Sequence, residues 1–549
     1  NIGSVYSKMG RYSESLSNYE KALKIRQKSL PPDHPDLATT YGNIGLVYSK
    51  MGRYSESLSN HEKALEILRK SLPLDHPDLA TTYGNIGLVY SDMGRYSESL
   101  SNYEKALEIE QKSLPPDHPD LATTYGNIGL VYSKMGRYSE SLSNYEKALA
   151  ILQKSFPPDH PNLATIHNNI GLVYSDMGRY SESLSNYEKA LEILQKSFSP
   201  DHPNLATTYG NIGTVYCHMG RYSESLSNYE KALKIRQKSL PPDHPNFGTL
   251  YSKIGLVYSK MGRYSESLSN HEKALEIQQK SLPSGHPDLA ITHNNIGLVY
   301  SDMGRYSESL SNHEKALEML PKSLPSGHPD LATTHNNIGL VYSKMGRYSE
   351  SLSNYEKALE IRQKSFPPDH PNLATTYGNI GSVYSDMGRY SESLSNYEKA
   401  LEILQKSFPS DHPDLATTYG NIGLVYSDMG RYSESLSNHE KALEIRQKSF
   451  SPDHPDLATI HNNIGSVYSK MGRYSESLSN YEKALAILQK SFPPDHPNLA
   501  TIHNNIGSVY SKMGRYSESL SNYEKALAIL QKSFPPDHPN LATIHNNIG

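Results

Sequence analysis

Three kinds of side chain in this sequence have the types that chemistry uses. Cys217 stands beside His218, a nucleophile next to a base. Neighbours on a helix point about 100° apart, so these two do not make the hydrogen-bonded dyad that activates a thiol. His34 sits in Asp33-His34-Pro35-Asp36, and twelve further histidines occupy the same place along the chain. Histidine and aspartate are metal ligands. Each connector nevertheless brings a single histidine, one repeat away from the next, so no ligand set converges and the phrase reads as a helix entry. The third kind is an asparagine that opens the phrase Asn-Ile-Gly-x-Val-Tyr at Asn43 and returns at a fixed interval. An amide offers donors and an acceptor, which suits binding and not bond-breaking. No glycine-rich phosphate loop, paired carboxylates or ligand cluster occurs elsewhere. The expectation is no enzyme, no metal and no cofactor.

The elements that position these residues follow from the interval. Asn1, Asn43, Asn85, Asn127, Asn169, Asn211, Asn295, Asn337, Asn379, Asn421, Asn463, Asn505 and Asn547 are spaced by 42 residues or its multiple, with Lys253 once in the asparagine place. No insertion or deletion disturbs the register. Framed from the leucine after His-Pro, the chain is a partial repeat (1–36), twelve complete repeats (37–540) and the start of another (541–549). In the unit 37–78, Leu37, Tyr41, Ile44 and Tyr48 form a helical stripe. Pro35 and Asp36 suit its first turn, and Gly52 its stop. A second stripe of Tyr54, Leu58, His61 (Tyr in most copies), Leu65 and Leu68 runs to about Leu72, where Pro73 breaks it. Each unit is therefore two antiparallel helices, the second the longer. A glycine inside a helix costs about 1 kcal/mol relative to alanine, so Gly45 and its copies predict a tightly packed neighbouring helix, with Ala64 as the small residue facing it. Ser57 reads as a packing residue, Ser55 and Ser59 as exposed. Pro321 stands late in a second helix and predicts a kink or early stop in the unit 289–330. One unit cannot bury both stripes, and stacked units can.

Composition excludes several classes. Lys and Arg number 54 against 58 Asp and Glu, a net charge of −4, with both signs mixed in every repeat. That balance gives no general attraction to nucleic acid. No apolar run approaches the roughly 18–20 residues of a membrane span, so membrane insertion is not expected. Cys217 is the sole cysteine, which rules out an intrachain disulfide. With no Asn-x-Ser/Thr acceptor, the chain reads as cytoplasmic. It opens on Asn-Ile-Gly-Ser-Val-Tyr, and both ends fall inside a repeat, as expected of a piece of a longer protein.

Ile44-Gly45, Tyr48, Gly52-x-Tyr54, Ser57, His61 and Ala64-Leu65 resemble the tetratricopeptide repeat signature. The 42-residue period and the phrase DHPDLATTYGNIGLVYSKMGRYSESLSNYEKALEIRQKSL resemble its kinesin light chain-like subtype. The resemblance implies an all-α, right-handed superhelical solenoid whose first helices line a concave groove that holds peptides. Carried onto this chain, the groove positions of the unit 37–78 are Thr39, Gly42, Asn43, Leu46, Ser49 and Lys50. The asparagines Asn43, Asn85, Asn127, Asn169, Asn211, Asn295, Asn337, Asn379, Asn421, Asn463 and Asn505 then form an amide ladder. Such a ladder can grip an extended peptide backbone of any sequence. The alternatives are a bond to a neighbouring turn, or copying during duplication. Lys50, Asp92, Lys134, Asp176, Lys260, Asp302, Lys344, Asp386 and Asp428 would line the rim and pattern its charge. The pairs Tyr41-Gly42 and His167-Asn168 switch together among copies, which block copying also explains. The implied function is a protein-interaction scaffold. Alternatives are a cytoskeleton-associated cargo adaptor of a microtubule motor, with kinesin heavy chain or cargo as partner, and the substrate-recruiting arm of a larger enzyme or regulator. The upstream heptads of a kinesin light chain are not in the sequence at hand.

Overall fold

A computed structural model describes residues 2–533 and 539–548. Among the described residues all regular structure is helical. The type unit holds a first helix of 16 residues (Pro35–Lys50) and a second of 18 (Tyr54–Ser71). This pair repeats through Pro497–Lys512 and Tyr516–Ser533.

Local chemistry sets each boundary. Pro35 occupies the first helical position, where its missing N–H costs nothing. His34 caps the helix: its Nδ1 accepts from the backbone N–H of Asp36 at 3.2 Å. Gly52 ends the helix at φ +70°, and the Arg53 N–H returns to the Tyr48 carbonyl at 2.9 Å. That wrap satisfies a terminal carbonyl and needs a left-handed residue that glycine supplies without strain. The Arg53 guanidinium then lies 4.6 Å from the centre of the Tyr48 ring and pairs with Glu56 at 2.6 Å.

The two helices of a unit meet at the glycine. A Cβ on Gly45 would stand 2.6 Å from the His61 ring. The Ser57 hydroxyl donates to the Gly45 carbonyl at 2.8 Å, whereas Ala64, expected to face that glycine, is buried in a cluster with Ala38, Leu68 and Leu79. Ser55 and Ser59 are exposed. The buried face of the first helix is Leu37, Ala38, Thr40, Ile44, Gly45 and Val47. Tyr41 and Tyr48, placed in the stripe from spacing, are only half-buried. The first helix is covered from two sides, by its own partner and by the neighbouring repeat, so its buried arc is wider and rotated towards Ala38 and Val47. Pro321 acts as its chemistry requires: the second helix there stops at Met319, and Leu320–Lys322 continues as a tighter turn.

First helices of successive units touch one another, and second helices stay further apart. The array therefore curves with the first helices on the inside. The curvature returns the chain onto itself six repeats later. His328 Nε2 meets the Asp92 carbonyl at 3.1 Å, His370 that of Lys134 at 3.0 Å and His454 that of His218 at 3.0 Å. At the same level Tyr96 stacks on Phe366, Tyr138 on Phe408, Tyr180 on Phe450 and Tyr222 on Phe492, with ring centres 5.7–5.9 Å apart. Successive turns of the superhelix are thus in direct contact.

Candidate functional site

The inner face is made from first-helix positions that point away from the second helix. In the type unit Thr39, Leu46 and Lys50 are exposed there, and Gly42, Asn43 and Ser49 half-buried. Every asparagine of the predicted ladder from Asn43 to Asn505 is half-buried. Asn295 donates to Ser252 Oγ at 3.0 Å and Asn505 to Asn462 Oδ1 at 2.8 Å. In the asparagine place, Lys253 reaches Thr214 Oγ1 at 3.4 Å. Side chains of adjacent repeats are therefore close enough to bridge along this face. Among the described residues, the amides of Asn43, Asn85, Asn127, Asn169, Asn211, Asn337, Asn379, Asn421 and Asn463 make no such bond. Leu46, Leu88, Leu172 and Leu424 stand exposed three residues on from their asparagines, and Leu256 three on from Lys253. The face thus alternates amides that can bond a backbone with leucines that can cover apolar side chains.

The changeable position before each asparagine has a structural consequence. Where the pair is His-Asn, His167 Nδ1 meets Asn186 Oδ1 at 3.1 Å and Asn168 donates to Thr208 of the next repeat at 3.0 Å. His293 and Asn294 repeat this with Asn312 and Thr334. The histidine bond lies between the two helices of one repeat, and the asparagine bond crosses to the next. The Oδ1 atoms of Asn168 and Asn336 are buried without a partner.

The rim charges sit at the C-terminal ends of the first helices, and some of them pair across neighbouring repeats. Lys344 pairs with Asp302 at 3.0 Å, while Lys134 reaches Ser91 Oγ at 2.9 Å and Asp92 at 3.9 Å. Lys50 donates to Ser7, and Ser49 and Ser343 donate to Asp92 and Asp386. Asp428 is held by Lys470 at 2.8 Å. Crowding by protein pushes the Asp176 carboxyl up to about 6 although its side chain reaches solvent. The backbone carbonyl of Lys260 takes a bond from His496 at 3.4 Å. The rim is therefore also the seam between superhelical turns, a role that spacing within one repeat does not reveal. The only sequence trace of that seam is the unvarying His-Pro and Met-Gly-Arg-Tyr phrases on either side of it.

The remaining candidates lack reactive geometry. Burial pushes the Cys217 thiol up to about 11, and His218 is held below the usual imidazole range by burial and by Lys260 and Lys253. Both shifts oppose a thiolate–imidazolium pair. The connector histidines use Nδ1 as an acceptor for the helix cap. Among the described residues no three His, Cys, Asp or Glu side chains gather as a metal site would require, and no helix is long and apolar enough to cross a membrane.

A tetratricopeptide repeat family model matches residues 1–70, 78–154, 158–238, 246–322, 330–406, 414–490 and 498–549. No curated protein sequence matches the chain. Solved structures similar to part of it include BtubC (BKLC) from P. vanneervenii, at 21% identity and a TM-score of 0.33, covering 43% of this chain and 92% of that one. A putative kinesin light chain from Podosopora anserina with nearly identical repeats is also similar, at 21% identity and a TM-score of 0.32, covering 38% of this chain and 98% of that one. With paired helices in an unbroken register and family matches over nearly its whole length, the chain belongs to the tetratricopeptide repeat family.

Proposed function

We propose that the chain is a non-catalytic protein-interaction scaffold that holds extended peptide segments along its inner face. The observation that carries this reading is the row of half-buried asparagines whose amides are not engaged by the protein, set beside exposed leucines. A half-buried amide has lost part of its water and gains from a fixed partner. A peptide backbone presents alternating donors and acceptors. Packed helices lie about 8–10 Å apart and an extended chain rises about 3.3 Å per residue. One rung therefore serves roughly every third peptide residue, and the leucines between rungs select apolar side chains. A free thiol with no disulfide fits a cytoplasmic setting.

The test is selection of binders from a random peptide library displayed against the chain. Peptides enriched on the parent are expected to lose most of their affinity for the triple variant Asn85→Ala, Asn127→Ala, Asn169→Ala, whose circular dichroism should match the parent's. Enriched peptides that bind the variant as tightly as the parent would remove the amide ladder from the mechanism.

A further inference from the structure

Five residues that each occur only once at their place in the repeat gather at inner-face positions of two adjacent units, 205–246 and 247–288. Thr214 stands where other copies have Leu or Ser, Cys217 where they have Ser, and His218 where they have Lys or Asp. Ser252 replaces Gly or Asn, and Lys253 replaces the ladder asparagine. All five belong to the first helices Pro203–His218 and Pro245–Lys260. One of them, Lys253, puts a cation where every other rung carries a neutral amide.

Lys253 is half-buried, and its ammonium reaches one partner within the chain, the Thr214 hydroxyl at 3.4 Å. That hydroxyl is already engaged: it donates to the Gly210 carbonyl at 3.0 Å and lies 2.9 Å from the Tyr229 hydroxyl. An ammonium has three N–H donors, so this long contact leaves most of its capacity unused. Among the described residues no carboxylate pairs with Lys253, or with Lys260 two turns further along the same helix. The neighbouring rim carboxylates are taken: Asp176 accepts from Ser133, and Asp302 pairs with Lys344 at 3.0 Å. Arg236, on the preceding second helix, adds positive charge. It meets the Asn246 carbonyl at 2.6 Å, whereas Arg446 at the same place has Asp456 at 2.9 Å. Burial and Arg236 together hold the Lys253 ammonium below the ordinary lysine range. An anion beside it offsets both effects.

We propose that Lys253 fixes the register of a segment held along the inner face by taking one of its Asp or Glu side chains, an inference that rests on the peptide-holding function above. Amide rungs bond a backbone irrespective of sequence, so a segment held by them alone keeps the same bonds after sliding by one rung. A carboxylate removes that degeneracy, because a single rung answers it with an ammonium. Hydrogen bonds between ionised groups are roughly twice as strong as neutral ones, and a half-buried pair is screened by salt less than one on open surface. The ladder continues on both sides of Lys253, from Asn43 to Asn211 and from Asn295 to Asn505. The acid is therefore internal to the segment and not a chain end. Leu256, exposed three residues on, supplies apolar cover beside the charge.

Selection on the full chain from a library of displayed peptides of about twelve residues, roughly four rungs long, tests this. The peptides are fused to the carrier at their C-termini, so that no terminal carboxylate is present. The expected result is one Asp or Glu shared by the peptides enriched on the parent. In an end-blocked synthetic copy, changing that Glu to Gln or Asp to Asn should weaken binding about tenfold. Titration calorimetry of the acidic peptide should give one tight site per parent chain. Lys253→Asn restores the residue of the other copies, and its circular dichroism should match the parent's. On this variant the acidic peptide and its amide analogue should bind alike, and selection should no longer enrich Asp or Glu. Enriched peptides with no common acid, an acid still enriched on Lys253→Asn, or several equal tight sites per parent chain would each overturn register fixing and leave the amide ladder standing. No enrichment on the parent would overturn both.

Discussion

At the scale of single residues, the informative positions are those where one repeat departs from its siblings. Glu110 occupies the buried place that Leu68 fills in the type unit. One oxygen accepts from Thr124 at 3.0 Å, the other has no partner, and burial pushes the carboxyl up to about 7. The folded chain thus binds this proton more tightly than the unfolded chain. Its stabilising share is complete below the ordinary carboxylate range and is lost as pH rises through about 7. Gln278 shows the neutral solution at the same place, accepting from Thr292 at 2.7 Å. Glu110→Gln should match the parent in acid and exceed it above neutrality, read as the denaturant midpoint against pH. His61 has the opposite sign. Both ring nitrogens are buried without partners, and burial holds the imidazole at about 4. Its share is present above the ordinary imidazole range and is lost as pH falls towards 4. His61→Tyr, the residue of most other copies, should add roughly 1 kcal/mol. It should also abolish the acid loss of protection in the unit 37–78, measured by hydrogen exchange.

At the scale of helices, magnitudes decide between competing effects. Alanine is favoured over glycine in a helix by about 1 kcal/mol, but a Cβ on Gly171 would stand 2.9 Å from the Tyr187 ring. Overpacking of a fitted core costs about 1–3 kcal/mol, so Gly171→Ala should lower the unfolding midpoint despite its better helix propensity. Pro321→Gln works the other way. It restores the residue of most other copies, with an N–H in place of the ring that clashes with the Leu317 carbonyl. The helix Tyr306–Met319 should then extend to the 18 residues of its neighbours, with a gain of about 3 kcal/mol at most. A rise in helical ellipticity together with the midpoint checks it.

At the scale of the whole molecule, the seam between turns makes the array more than a row of nearest neighbours. Gly94 and Gly388 have the same backbone, at φ +71° and +72°, so alanine at either adds roughly 1–2 kcal/mol of left-handed strain. Only Gly94 faces another turn, with Pro329 at 2.6 Å from the added carbon. In dilute solution Gly94→Ala should increase the radius of gyration by small-angle scattering. Gly388→Ala should leave it unchanged.

The repeat, the two helices of each unit, their proline, histidine and glycine boundaries and the break at Pro321 were all legible in the sequence, because each depends on residues within one turn of the chain. So was the tight helix contact at Gly45, since no other reason explains a costly glycine in every copy. The half-buried amides were legible as a row. That most of them make no bond within the chain became visible only when neighbouring repeats were in place. Tertiary structure alone decided that Tyr41 and Tyr48 sit at the margin of the core, because burial there depends on a second neighbour. It also decided which rim charges pair across neighbouring repeats and that the connector histidines reach residues 236 positions away. That last contact depends on the small rotation at each joint, accumulated over six repeats. No local spacing encodes a sum of angles.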